Sequence, residues 1–588
     1  MVPDGVGDRR AFLAGATGAI AAASGCLGGM RNLAGRARTD QLSLRISTVP
    51  ASHDPYAVRI ANRLAANLER AGIAATVDPM SPDVLLRETL LNHDFDLYVA
   101  RYPSRGDPDE LRSMLYSAYG EEAGWQNPFG FSDLETDGLL DEQRTVPDSE
   151  RPEVIGELQR RIVRHQPFTV VGFPDRIGAV RDGQFEAWPE GGLADPTAYL
   201  RLDRVDGKST LRLSLRNGRI TRNRNPIAAE HRDRGALTGL LYESLLRTGG
   251  DPADPIPWLA RRVEWDPEGS PAATVRLRET KWHDGEAFTA RDVAFTYGFL
   301  KDTSIGGFDT PVPTPWRRGR LSLVDAVDVR STDELRIEFT TENRTLAHRA
   351  LSVPILPAHV WWDRAGSADI AGIDLVGGTT EALVTPNEAA IGSGPLRFEA
   401  ATADESLSLV EFPEHFLHAG DTGGIPDRLS DPPRFDRVEF DVVPSHDAAV
   451  ELLAADEVDA SADGLGASVV PRIVRADEVS LATDRSEEFY HIGYNCRRSP
   501  MTDPRFRRTV ARHLDRTALT DDVFGGYGTP AETPLGGRWV PAELEWDGAA
   551  RLSFLGTEGE LNVDRARETF REAGYQYDGD RLVRRAPS

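Results

Sequence analysis

The chain is nearly without lysine. Lys208, Lys281 and Lys301 are the only three among 68 basic residues, the rest being arginine. Cysteine is scarcer still, with Cys26 and Cys496 the two in 588 residues. Cys26 falls in an export signal described below, which leaves Cys496 without an internal partner, so the fold does not depend on a disulfide. Positive charge is in deficit: 93 acidic residues give a net charge of −25. That sign argues against a nucleic-acid binder, which must neutralise a run of phosphates. It argues equally against a basic membrane-surface protein. No stretch of the body is long and apolar enough to span a bilayer. No repeat of 20–50 residues is visible, which argues against a solenoid. His-Glu-x-x-His, Gly-x-Ser-x-Gly and Walker motifs are all missing. The 12 histidines are scattered, so a histidine-rich metal store is not expected.

What is present begins with length. At 588 residues and 40% hydrophobic composition the chain can build more than one core, most simply two lobes. An acidic, lysine-poor surface stays hydrated where salt screens self-repulsion, which fits a salt-loving, haloarchaeal host. GC-rich codon usage would skew arginine over lysine in the same way.

The first 26 residues read as an address. Arg9-Arg10 is a twin arginine, an uncharged Ala/Gly-rich run follows from Ala11 to Gly25, and the run closes on Ala23-Ser24-Gly25-Cys26. The order fits a twin-arginine lipoprotein signal with lipidation at Cys26. Two lipid chains anchor stably where one does not. Residues 27–41 then form a tether. The expected location is the extracellular face of the cell membrane.

The body alternates strand and helix patterns, an α/β class. Period-two alternation marks strands at Leu42-Leu44-Ile46, Leu211-Leu213-Leu215, Leu335-Ile337-Phe339 and Val438-Phe440-Val442. Helical spacing marks Ala57–Leu68, Val154–Ile162 and Phe506–Leu514. Thr289 with Asp292 forms a capping box, Asp503-Pro504 a cap and first-turn proline, and Gly574 a C′ glycine.

Residues 273–302, ATVRLRETKWHDGEAFTARDVAFTYGFLKD, carry a recognisable pattern. So do Leu240–Leu245, Pro257–Ala260, Pro354–Val360, Gly392–Pro395, Leu452–Asp459, Tyr494-Asn495 with Asp503–Leu519, and Ala566–Tyr575. Together and in this order they resemble the family 5 extracellular solute-binding proteins, the peptide- and nickel-type receptors of ABC importers. Residues 42–100 and 127–186 are similar to what that family places after its Glu-Ala-Gly-Tyr, here Glu572–Tyr575. The chain therefore reads as a circular permutation: family order would run 209–588, then 42–200. Such an order requires the strand near 42–46 to share a sheet with elements from 481–588. The segment 574–580 is expected to be a loop.

The resemblance implies an α/β, two-lobed, periplasmic-binding-protein-like (type II) fold with a hinge and an interlobe cleft. One lobe would combine 42–174 with 481–588, and the other would be 175–480. It implies a binding protein and not an enzyme, with no cofactor and no resident metal. Its ligand would be a peptide or similar small organic solute, and its partners an ABC permease and ATPase subunits. A monomer is expected. The alternatives left open are a non-transport sensor, a metal-chelate receptor and, from another class, a surface hydrolase. By the same resemblance the ligand is anchored near Arg101, Tyr102 and Ser104. Ser104 occupies the position where peptide-binding relatives carry an amine-anchoring aspartate, and Arg101 one where tryptophan is common. Arg101 and Arg105 either favour an anionic or polar ligand or face solvent. Arg222 and Asn223, after the first strand of the other lobe, and the Tyr494-Asn495 turn are further candidates. His283-Asp284 reads as a turn, and His415 and His418 lack an obvious third ligand.

Overall fold

A computed structural model describes residues 40–120, 126–193, 195–205, 207–228, 237–247, 255–267, 271–368, 379–548 and 551–583. The twin arginine, Cys26 and the tether up to residue 39 lie outside the described residues.

Local chemistry starts the first lobe. Strand Ser43–Thr48 buries Leu44, Ile46, Ser47 and Thr48. Helix Pro55–Arg70 follows, its first turn capped by the Asp54 carboxylate accepting from the amides of Tyr56 and Ala57. Its apolar residues Ala57, Ile60, Ala61, Leu64 and Leu68 recur at helical spacing and are all buried. Strand Ala74–Pro79 returns parallel to the first, as a helical crossover requires.

The sheet is then completed from the far end of the chain. Its order is 74–79, 43–48, 97–102, 489–494, 168–174, 528–530. Strand Phe489–Tyr494 is buried along its whole length and runs antiparallel between Leu97–Tyr102 and Phe168–Pro174. Leu44, Ile46 and Leu64 share one core with Ile492, Tyr494, Phe506 and Phe570. The two ends of the described chain also meet: the Leu42 amide donates to the Leu582 carbonyl at 2.8 Å, and Gln41 bridges to Val583. The segment expected as a loop after Gly574 is instead a hairpin, Gln576–Asp578 with Arg581–Val583. Gly579, at φ 61°, makes the tight turn, and Tyr577 and Leu582 anchor the hairpin on Ala71 and Gly72.

The second lobe is built from one stretch of chain. A seven-stranded mixed sheet runs 396–402, 406–411, 437–442, 210–215, 460–461, 176–181, 479–484. A four-stranded antiparallel sheet, 260–265, 272–277, 334–339, 324–329, packs into the same core. Helix Ala290–Lys301 opens on the expected Thr289/Asp292 capping box. Gly392 and Gly394 are needed for close approach: a Cβ on either would lie within 2.0 Å of the Leu241 or Leu240 carbonyl oxygen.

Two adjacent antiparallel strands cross between the lobes. Phe168–Pro174 continues after Asp175 into Arg176–Arg181, and Val479–Asp484 continues after residues 485–488 into Phe489–Tyr494. This paired ribbon is the hinge, and strand Val479–Asp484 belongs wholly to the second lobe's sheet.

Candidate functional site

Between the two sheets lies a cleft of about 760 Å³. The first lobe contributes residues 52–56, Arg101, Glu488 and Tyr490; the second contributes 215–217, 219–220, Asp404, 442–444, His446 and 461–466. These are strand ends and the turns after them, where backbone groups leave the sheet ladder and side chains converge.

The cleft carries charge of both signs, each group held by its own element. Asp54 caps its helix and also accepts from the Tyr490 hydroxyl at 2.9 Å. Burial, with the Asp54 charge beside it, holds that phenol well above its usual range. Across the cleft, Asp463 accepts from the amides of Arg216 at 2.8 Å and Asn217 at 3.1 Å, yet burial still raises its carboxyl. His53 is pushed down by burial first and then by Arg219 and Arg216. Arg101 pairs with Glu488 at 3.0 Å. Contacts at the cleft also bridge the lobes: the Arg216 guanidinium donates to the Ser52 carbonyl, and the Ala467 amide donates to the Tyr56 hydroxyl at 2.9 Å. Acidic, basic and hydroxyl groups from both lobes thus face one space, a lining suited chemically to polar groups.

Of the residues expected at the site, Arg101 lines the cleft. Arg222 adjoins it through its ion pair with Asp404, and the Asn223 side chain accepts from the Asn225 amide at 2.8 Å. Tyr102 lies beside Phe489 and Trp316, with ring centroids 5.3 and 6.4 Å away. Ser104 is buried, its hydroxyl donating to Glu110 at 3.2 Å. Two expectations are corrected. Tyr494 and Asn495 are both 0% exposed and cannot meet a solute in the cleft. The Tyr494 hydroxyl is bonded to Thr169 at 2.7 Å, and the Asn495 amide donates to the carbonyls of His93 and Phe95, each at 2.9 Å. Tyr494 is the last residue of strand Phe489–Tyr494, buried against the neighbouring strand at Thr169, and Asn495 is held by the loop at 93–95.

Asp54, Arg216, Asp404 and Asp463 were not among the expected residues. The Asp54-Pro55 pair carried the same cap signal as Asp503-Pro504. Arg216 directly follows strand Thr210–Leu215, six residues before Arg222 in the chain, and lines the cleft. Nothing in the sequence pairs Asp463 with that strand end.

The imidazoles outside the cleft that the sequence singles out have structural partners. His283 bonds the Gly394 carbonyl at 2.9 Å, and burial lowers it to about 4. Asp284 receives His359 at 2.7 Å, and His415 is buried against Glu243. Among the described residues no three His, Cys, Asp or Glu side chains are placed to hold one metal ion.

Comparison with known proteins adds the following. A family model described as "Bacterial extracellular solute-binding proteins, family 5 Middle" matches residues 254–587. The oligopeptide-binding protein AppA of Bacillus subtilis is 24% identical over 319 residues, covering 54% of this chain and 51% of that protein. Di/tripeptide-binding protein 2 of Pseudomonas aeruginosa is 23% identical over 353 residues, 58% of this chain and 59% of that one. The chain thus spans about half the length of the curated relatives it matches. Similar solved structures include an oligopeptide ABC transporter's periplasmic oligopeptide-binding protein from Thermotoga maritima, bound to mannohexaose. It is 23% identical with a TM-score of 0.44, covering 63% of each chain. NikZ of Campylobacter jejuni with Ni(L-His) is 16% identical with a TM-score of 0.43, covering 64% of this chain and 66% of that one.

Proposed function

Because the chain belongs to the family 5 extracellular solute-binding proteins, we propose that it is the solute-capturing component of an ABC importer. It takes a peptide or similar small organic solute between its lobes, closes about the hinge and presents the closed form to a permease. ATP hydrolysis belongs to other subunits, and capture itself requires no nucleophile. The observation that carries the reading is the cleft: a volume of about 760 Å³ whose two walls come from different lobes, with the chain crossing between them at Asp175 and at residues 485–488. The chain is exported through its twin arginine and held at the outer face of the membrane by lipid on Cys26. It works in high salt, where its charge of −25 is screened.

The same proposal includes a circular permutation of the family order. Two placements support it. Strand Ser43–Thr48 lies in one sheet with Phe489–Tyr494 and Gly528–Pro530. Gln41 and Val583, each close to an end that the family order would join, are paired side by side. Permutation is tolerated when the old ends are close and the new break falls in a loop.

The test is a thermal-shift screen in molar salt against peptides, sugars, metal chelates and organic anions. A ligand at 100 times its Kd stabilises by about 2.7 kcal/mol. One class that shifts the transition without being chemically altered supports the reading. A compound that is turned over would overturn it in favour of an enzyme.

A further inference from the structure

The lobes also meet away from the cleft. A loop at 143–150 joins helices Leu134–Glu142 and Arg151–His165 of the first lobe. Its root is fixed from within that lobe: Gln143 donates to the Asp109 carboxylate at 2.7 Å and accepts from Arg151 at 2.9 Å. Arg144 grips the same carboxylate through Nε and Nη2, each at 2.7 Å, and both partners are buried. Further donors of that guanidinium reach the second lobe, Nη2 to the Gly319 carbonyl at 2.7 Å and Nη1 to the Ser322 hydroxyl at 2.9 Å. The Thr341 hydroxyl donates back to the Arg144 carbonyl at 2.6 Å. Further along the loop, the Asp148 carboxylate accepts from the Asn343 amide at 2.9 Å and from the Thr345 hydroxyl at 2.7 Å.

What Arg144 and Asp148 meet across this seam is polar, while the ground behind each side is apolar. Leu321, Leu323, Leu335 and Leu346 pack into the second lobe's core, and Leu111, Leu115, Leu140 and Ile155 into a core of the first. The two cores share no residue. A seam of this kind can part and re-form without unmaking either core, as polar interfaces between domains do. Its fit is close: a Cβ on Gly319 would lie 3.1 Å from the Ser113 hydroxyl of the first lobe. None of Arg144, Asp148, Gly319, Ser322, Thr341 and Thr345 lines the cleft. Their bonds therefore do not depend on what the cleft contains.

We propose that residues 144–148 are a latch, a device that holds the lobes shut by bonding residues 319–322 and 341–345 whether or not a solute lies between them. The inference rests on the reading that the lobes move about the hinge to admit a solute. The latch stabilises only the closed state, because its donors and acceptors face each other only there. When the lobes part, each group returns to water. The closed fraction of the free protein is thus set by the seam and not by the cleft. A solute that binds the closed state gains apparent affinity in proportion to that fraction.

The experiment is small-angle X-ray scattering of the full chain in molar salt, unfolded, dialysed and refolded beforehand to remove any bound solute. The variants are Asp148→Ala, Thr345→Val and Gly319→Leu, whose side chain would wedge the seam. The wild type is expected to scatter as the closed form. Asp148→Ala and Thr345→Val should each lower the ratio of closed to open form by at least about tenfold, the scale of a hydrogen bond to a charged group. Asp148 is exposed and lies in a loop, so its variant decides the matter should Thr345→Val lose cooperative unfolding. A wild type that scatters as an open form would overturn the latch, and so would an Asp148→Ala that stays closed. In that second case Gly319→Leu separates the two readings. If the wedge opens the chain, the hinge and the receptor reading stand without the latch; if the wedged chain folds and stays closed, the hinged closure falls with it.

Discussion

The two lobes are similar in architecture and opposite in assembly. The second lobe draws its seven-stranded sheet from residues 176–484 and closes its core within that stretch. The first joins strands at 43–102 to a strand at 489–494, with the entire second lobe between them in sequence. One core can form as its own segment collapses, whereas the other cannot close until both chain ends meet, a contact of long loop-closure entropy. The comparison teaches that a sheet's order is indifferent to the order of the chain, provided each strand finds its register and each edge its cover.

The largest effect expected is from removing residues 40–174. Strand Phe489–Tyr494, buried on both sides, would lose both neighbours. Cooperative unfolding of the first lobe, followed by circular dichroism and calorimetry, should then vanish while that of the second lobe is weakened but retained. A rearranged chain, with 209–583 placed ahead of 42–200, should fold and bind as the parent does. Failure of that chain to fold would break the argument that order is immaterial.

Acid should affect the lobes alike. His93 and His513 in the first, and His283 and His446 in the second, are each lowered to about 4, chiefly by burial. Unfolding returns them to their ordinary 6.5, so the unfolded chain takes up protons that the folded one refuses. Stability is therefore full above pH 6.5 and falls as pH drops toward 4. Denaturant titrations across that window check it, and a midpoint that rises on acidification contradicts it.

Core truncations come next. Leu44→Ala and Leu213→Ala, both fully or nearly fully buried, should each cost about 2–5 kcal/mol. Folding kinetics sharpen the comparison: Leu44→Ala should mainly speed unfolding if the end-joined sheet forms late. A slowed folding rate instead would place that sheet in the nucleus. Asn495→Ala, which leaves two carbonyls without their donor, should cost about 1–3 kcal/mol. Ligand affinity should not change, which separates this core residue from the cleft. The smallest effect on stability is expected from Arg101→Gln, within about 0.5 kcal/mol. Its affinity for the solute should fall, and an unaltered affinity would take Arg101 out of the site.

Much of the local structure was legible. The cap at Asp503, the capping box at Thr289 and the C′ glycine at 574 stand where they were expected because each is set by residues a few positions apart. The site was less so. Arg101 lines the cleft as the sequence suggests, whereas Tyr494 and Asn495 are buried by partners about 325 and 400 positions away in the chain, Thr169 and the loop at His93 and Phe95.

By itself the sequence determined what short range controls: the α/β alternation, the helix ends and the family that its motifs spell out. Only the tertiary structure decided which strand ends face each other across the cleft and that Asp463 meets the Arg216 amide. The physical reason is one of range. Caps and periodicity are fixed by hydrogen bonds and burial within a few turns of chain, whereas a cleft is made by side chains brought together from two separately packed cores.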